Sequence, residues 1–297
     1  MEPPLLPRRA FLRVSAAALA AGRLFAVERA KSRPIRKGFF LSSFPDKKLP
    51  VIEQFRMIKA AGFEGVQPHA LMDQDEVLRA RDESGLVIPS VAVGSETRTI
   101  GNPDPKVRTR AVEALKLALH DAKRYGATGV LAFAGGVDEK VGYAENWEYS
   151  QSGIREALPL AAELGIRISL ENVWNNFLLS PLEMARYIDE LDSPWARAYM
   201  DVGNVVLYGF PQDWIRTLGP RIVRVHLKDF KMDRRNGRFE WKNIGEGDID
   251  WIEVRKAFAD INYSGYMTTE IEGGDAAYLK DVSARLDRFL AGQKPVG

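Results

Sequence analysis

Four short stretches of this chain each end an apolar run on a group that can bind a cation or move a proton. They are Ile166–Asn172, which presents Glu171; Ala198–Asn204, which presents Asp201; Ile222–Asp229, which presents His226; and Tyr266–Glu270. A lone carboxylate in such a place is usually a cap or a salt-bridge partner. Three of them with one of the chain's three histidines, all at matching positions, make a different pattern. Three carboxylates and one imidazole suit Mn2+, Mg2+ or Co2+ better than a structural zinc, which prefers sulfur and nitrogen. We therefore expect one divalent cation, Mn2+ ahead of Mg2+, Co2+ or Zn2+, held by Glu171, Asp201, His226 and Glu270.

Those groups meet only if the strands bearing them open on a common face. The stops lie 30, 25 and 44 residues apart, the spacing of strand–helix units, with room for an inserted loop in the last. In a parallel barrel the carboxyl ends of all strands do open on one face. The remaining chain keeps the same rhythm. Strands are expected at Lys37–Ser42, Gly65–His69, Leu86–Val93 and Gly129–Ala134. Helices are expected at Pro50–Ala61, Asp73–Ser84, from Asp104 to Tyr125 and from about Trp147 to Leu164, several stopped by glycine. Ser180-Pro181-Leu182-Glu183 is a capping box with proline at the first helical position. A polar excursion, Lys231–Asn243, interrupts the rhythm after the seventh strand and reads as a lid. Eight alternations without a composition break argue for an α/β fold, a single (β/α)8 TIM barrel. A doubly wound sheet usually shows a Gly-rich phosphate turn after strand one, and none is present.

At 297 residues and 45% hydrophobic, the chain can bury a full core. With no cysteine it has no disulfide, thiolate metal site or thiol nucleophile. The net charge of +2 comes from the N-terminus, where residues 1–31 hold six basic residues against Glu2 and Glu28. The remainder has 36 basic and 38 acidic residues, so no nucleic-acid face is implied. Arg8-Arg9-Ala10-Phe11-Leu12-Arg13 and the apolar run Val14–Gly22 resemble a twin-arginine export signal. That run is shorter than the ~20 residues of a spanning helix, so no stable membrane insertion is expected. We divide the chain into an export signal, 1–31, and a barrel, 32–297, and expect a periplasmic protein; an inactive signal would leave it cytoplasmic.

Taken together, Glu171-Asn172, Asp201-Val202-Gly203-Asn204, His226-Leu227-Lys228-Asp229, Gly245-Glu246-Gly247-Asp248-Ile249-Asp250-Trp251 and Thr269-Glu270 resemble the motifs of the sugar phosphate isomerase/epimerase superfamily, the xylose-isomerase-like TIM barrels. The resemblance spans about residues 36–290. It implies a metal held as in the ketose 3-epimerases, a small carbohydrate substrate, and Glu171 and Glu270 as the acid–base pair acting through an enediolate. Homologous barrels often form homo-oligomers. Three positions depart from the ketose 3-epimerase pattern. Phe177 stands where a second glutamate is expected, Asn204 where a histidine is, and Met232 where an arginine is. The metal and acid–base positions match while the sugar-reading positions do not.

Other residues keep two readings. His69 either faces the mouth and touches substrate or is a satisfied structural histidine. Lys228 shares the face of His226 and either holds a substrate oxygen or ion-pairs at the rim. Trp174 either walls the pocket or packs the loop after strand five, and Asn204 joins these three as a substrate-contact candidate. Proton abstraction beside a carbonyl also permits β-elimination, so a lyase or dehydratase on a 3-oxo-glycoside or keto acid is the alternative reaction. A non-catalytic sugar-binding barrel is the alternative of another class. The superfamily's DNA-repair endonucleases need a histidine-rich multi-metal cluster, which three histidines do not build.

Overall fold

The computed structural model describes residues 35–271 and 274–297. The export-signal reading of residues 1–31 lies outside the described residues. Eight parallel strands form a nearly closed barrel: β1 (Arg36–Phe40), β2 (Gly65–Gln67), β3 (Val91–Ala92), β4 (Gly129–Ala132), β5 (Arg167–Glu171), β6 (Ala196–Asp201), β7 (Ile222–Leu227) and β10 (Tyr266–Thr269). Their spatial order is β2-β1-β10-β7-β6-β5-β4-β3. Between β2 and β3 the ring is completed by isolated parallel bridges, Gly65 with Val87 and His69 with Ala92.

Helices cover the outside, and their ends follow from local chemistry. Asp104 accepts from the Lys106 backbone N–H at 2.8 Å with Pro105 next in line, opening the helix Pro105–Tyr125. Ser180 accepts from the Glu183 N–H at 3.2 Å and opens Pro181–Glu190. The strands' outward residues, among them Val66, Val130, Ile168, Met200, Val225 and Leu227, pack with these helices into one large core. Inward residues alternate with them, as the period of a strand requires. Inside the barrel Phe40, Ala92, Leu131 and Tyr199 form a small separate cluster that floors the site.

The barrel expectation holds, with local differences. The third strand is shorter than Leu86–Val93, because Pro89 has no N–H to give a ladder. The helix placed from about Trp147 begins at Tyr143, where the Glu145 carboxylate accepts from the Gly142 N–H at 3.0 Å. The segment expected as a polar excursion is a hairpin, β8 (Asp229–Asp233) paired antiparallel with β9 (Arg238–Lys242). Its alternating Phe230, Phe239 and Trp241 are masked in the sequence by the charged residues between them.

Candidate metal centre and active site

The four groups singled out by their spacing converge. Each of Glu171, Asp201, His226 and Glu270 offers a ligand atom, and these atoms lie within 4.8 Å of one another. Register explains the meeting. Asp201 pairs with His226 across β6 and β7, Thr268 pairs with His226 across β10, and Glu171 pairs with Tyr199 across β5. A bulge at this junction pairs Ala198 with Ile222 but Tyr199 with Arg224, so an extra residue in β7 sets the parity that turns Asp201 and His226 inward together. The His226 Nδ1 lies 2.7 Å from Glu171 Oε1 and 3.4 Å from Glu270 Oε2.

The four groups are held from behind. His226 Nε2 sits 2.7 Å from Gln67 Oε1, which also accepts from the Tyr199 hydroxyl at 3.2 Å, while Gln67 Nε2 donates to Ser90 Oγ at 2.9 Å. With the amide oriented that way, Nε2–H donates to Gln67, and Nδ1 is the nitrogen turned to the carboxylates, where a cation would take the place of its proton. Asn172 forms a reciprocal pair with β6, its Nδ2 donating to the Asp201 carbonyl and its Oδ1 accepting from the Asp201 N–H, both at 2.8 Å. Asp201 Oδ1 caps the turn Val202–Val205 by accepting from the Asn204 N–H at 2.7 Å. Only Asp201 Oδ2 is left to face the cluster, and it makes no hydrogen bond of good geometry although Lys228 Nζ lies 3.0 Å away.

Electrostatics fit a cation. Three carboxylates here face the imidazole and one ammonium. Burial pushes the fully enclosed Asp201 carboxyl up to about 7, against the pull of Lys228. Burial also acts on Glu270, but Lys228 and then His226 outweigh it and hold that carboxyl well below the usual range. His226 is driven the other way: burial lowers its pKa, yet Glu171 and Glu270 raise it to about 10. A buried, unsatisfied carboxylate oxygen in an acid-rich set is what a divalent ion would complete, and the residues present fit one.

Of the other predicted residues, Lys228 joins the cluster. Its Nζ is 2.6 Å from Glu270 Oε2. Asn204 is committed to the scaffold, donating Nδ2 to the Asn172 carbonyl at 2.8 Å. Trp174 stands at the mouth, about one-third exposed. Its indole N–H donates to the Asn204 carbonyl at 3.0 Å, and its ring stacks on Trp241 at 4.9 Å. His69 lies outside the cluster, 5.3 Å ring to ring from Phe40, lining a neighbouring cavity with Ser42 and Gln54; burial lowers its pKa. His120 is exposed on its helix. Gln67 was missed because it lies inside the expected strand Gly65–His69; the structure ends β2 on it.

The three departures have structural consequences. Phe177 is buried among Tyr143, Trp147 and Tyr187, away from the carboxylates. Met232 lies half-buried on the hairpin. Above the cluster a cavity of about 470 Å³ is lined by Phe40, Lys228, Trp241, Glu270 and Tyr278. Asp229 ties the loop after β9 to β8, accepting from the Gly245 N–H at 2.9 Å and the Trp251 indole N–H at 2.8 Å.

The family profile described as xylose isomerase-like TIM barrel matches residues 55–289. A Haemophilus influenzae protein, provisionally named an L-ribulose-5-phosphate 3-epimerase, is 24% identical over 267 residues, covering 84% of this chain and 93% of that one. Among solved structures, an L-ribulose 3-epimerase superposes with a TM-score of 0.75 at 18% identity, covering 86% of this chain and 95% of its own. A 3-keto-D-glucoside 4-epimerase from E. coli superposes at 0.70 and 20% identity, covering 85% and 99%.

Proposed function

Because the chain belongs to the xylose isomerase-like TIM barrel family, we propose that it is a divalent-metal-dependent epimerase or isomerase of a sugar derivative. The observation that carries this reading is the placement of Glu171 and Glu270. They reach the cluster from β5 and from the end of β10, which flank β6 and β7 in the sheet, so they approach a shared point from opposite sides. A divalent cation bound there supplies the electrophile that makes the hydrogen beside a carbonyl acidic, and we favour Mn2+. Glu171, Asp201, His226 and Glu270 would hold it.

This chain's residues supply the rest. One of Glu171 and Glu270 removes the proton next to the carbonyl, leaving an enediolate, and the other returns a proton to the opposite face. Delivery to the opposite face inverts the carbon and gives epimerisation. Return by the same residue to the neighbouring carbon gives aldose–ketose isomerisation. Phe40, Trp241 and Tyr278 line the cavity and limit water around the reacting carbon. Relatives named for a ketopentose phosphate, a free ketopentose and a 3-keto-glucoside support a sugar derivative as the substrate class.

A second reading, β-elimination on a 3-oxo-glycoside, rests on the sugar-reading positions. Phe177 is buried elsewhere and Asn204 is engaged in the scaffold, so neither offers the expected contact to a free ketohexose. Solvent deuterium exchange followed by NMR separates the readings. Mn2+-loaded protein is incubated with ketopentoses, ketohexoses, their phosphates and 3-oxo-glycosides, alongside Glu171→Gln and Glu270→Gln. Metal-dependent exchange beside the carbonyl, lost in both variants, is expected, and the products distinguish epimer, isomer and elimination. A metal-loaded protein that exchanges no substrate would point to a binding barrel instead. We also propose export through Arg8 and Arg9. Fractionation of cells expressing the full chain and a double Arg→Lys form tests this, and cytoplasmic retention of both would sink it.

A further inference from the structure

We infer that Lys228 is a built-in counter-cation: it holds the cation-facing oxygens of Asp201 and Glu270 until a divalent ion enters, and then yields them. This rests on the reading of the four-residue cluster as a cation site. Asp201 has one oxygen committed to the Asn204 N–H, so Oδ2 is its only free ligand atom, and Lys228 Nζ is 3.0 Å from it. Glu270 Oε2 is the oxygen that faces His226 Nδ1, at 3.4 Å, and Lys228 Nζ is 2.6 Å from that same atom. The ammonium therefore donates to the inner oxygen of Glu270 and stands in ion-pair range, without a well-aligned hydrogen bond, of the inner oxygen of Asp201. A divalent ion bound to both oxygens would sit within a few ångströms of Nζ, where like charges in a buried site repel strongly.

Two further features suit a lysine that is held and then released. Its stem lies against Gly203, where a Cβ would come 2.5 Å from Lys228 Cγ, so the chain is kept bare to admit it. Its ammonium also lies 4.7 Å from the centre of the Trp241 ring, on the cavity side. An aromatic face offers a cation a second resting place. The displaced Lys228 would move toward that ring and into the space where substrate oxygens lie, so loading the cation would also deliver a hydrogen-bond donor to the substrate cavity.

Calorimetric titration of chelator-stripped full-length protein with Mn2+ tests this against Lys228→Met. The variant should bind Mn2+ about tenfold tighter or more, having lost a competing charge, while its metal-free form melts below wild type. Equal or weaker Mn2+ binding by the variant would overturn the inference and make Lys228 a residue that orients the loaded site. A wild-type protein that takes up no Mn2+ would sink the cation site itself, a separate failure. Should Lys228→Met not fold, acylation of wild-type lysines read by mass spectrometry decides. Lys228 should be protected in the metal-free form and become reactive on Mn2+ loading; unchanged reactivity would overturn the inference.

Discussion

An imidazole is a useful ligand only when one nitrogen is aimed and unprotonated, and in His226 that depends on Gln67. The glutamine is itself pinned by Ser90 and Tyr199, so a chain of polar contacts crosses the barrel floor. Replacing Gln67 with Leu removes the acceptor for Nε2 while keeping similar bulk. We expect Mn2+ affinity to fall roughly 10–100-fold with the fold intact, as for other partners that orient a ligating histidine. Calorimetry beside circular dichroism checks this, and an unchanged affinity would exclude the role. The four cluster residues were legible in the sequence because each ends an apolar run. Gln67 was not, since its partner His226 is 159 residues away and the expected strand Gly65–His69 runs past it, so no stop marks it. Lys228 was legible as sharing the inward face of His226, but which acids it would meet depended on a register that composition does not carry.

At the scale of elements, the hairpin and the loop after it form one unit knotted at Asp229. That carboxylate accepts from the backbone N–H groups of Phe230 and Gly245 and from the Trp251 indole. Gly247 passes so close that a Cβ would fall 2.2 Å from Asp229 Oδ1, which is why glycine is required there. In the sequence Gly245-Glu246-Gly247 stood out as part of the family-like motif ending at Trp251, whereas its centre of attachment sixteen residues earlier could not be seen. Asp229→Ala strands buried donors, and we expect a loss of about 2–4 kcal/mol in denaturant unfolding. A loss well under 1 kcal/mol would mean that water replaces the carboxylate. Conversely, the strands bearing Glu171, Asp201 and His226 were placed correctly because their apolar runs are long and end sharply. β3 was overestimated because Pro89 disrupts pairing without disrupting hydrophobicity.

For the whole molecule, a cation that binds the folded chain alone must stabilise it by mass action. At a hundredfold excess over Kd that is about 2.7 kcal/mol, or roughly 4–5 °C in Tm for a chain this size. Mn2+ should therefore raise the melting temperature by about that amount, a chelator should reverse it, and Asp201→Asn should abolish it. Differential scanning calorimetry checks all three, and a wild-type transition indifferent to Mn2+ would refute the site. Among the described residues no helix is long and apolar enough to cross a membrane.

The incomplete joint between β2 and β3 bears on how long a bound ion stays. Its backbone contacts, Val66 to Val87, Val87 to Glu64, Ala92 to Pro68 and Ala70 to Ala92, fall in two pairs separated by a stretch where Pro89 offers no donor. Opening a barrel is easiest where its hydrogen-bond ladder is thinnest. Amides of residues 66–70 and 87–92 should thus take up deuterium ahead of those in β5, β6 and β7, which hydrogen-exchange mass spectrometry can resolve. Because β2 carries Gln67, each such opening also frees the His226 ring to turn. The residence time of the ion would then be set by the breathing of a seam on the barrel wall, remote in sequence from every residue that grips it.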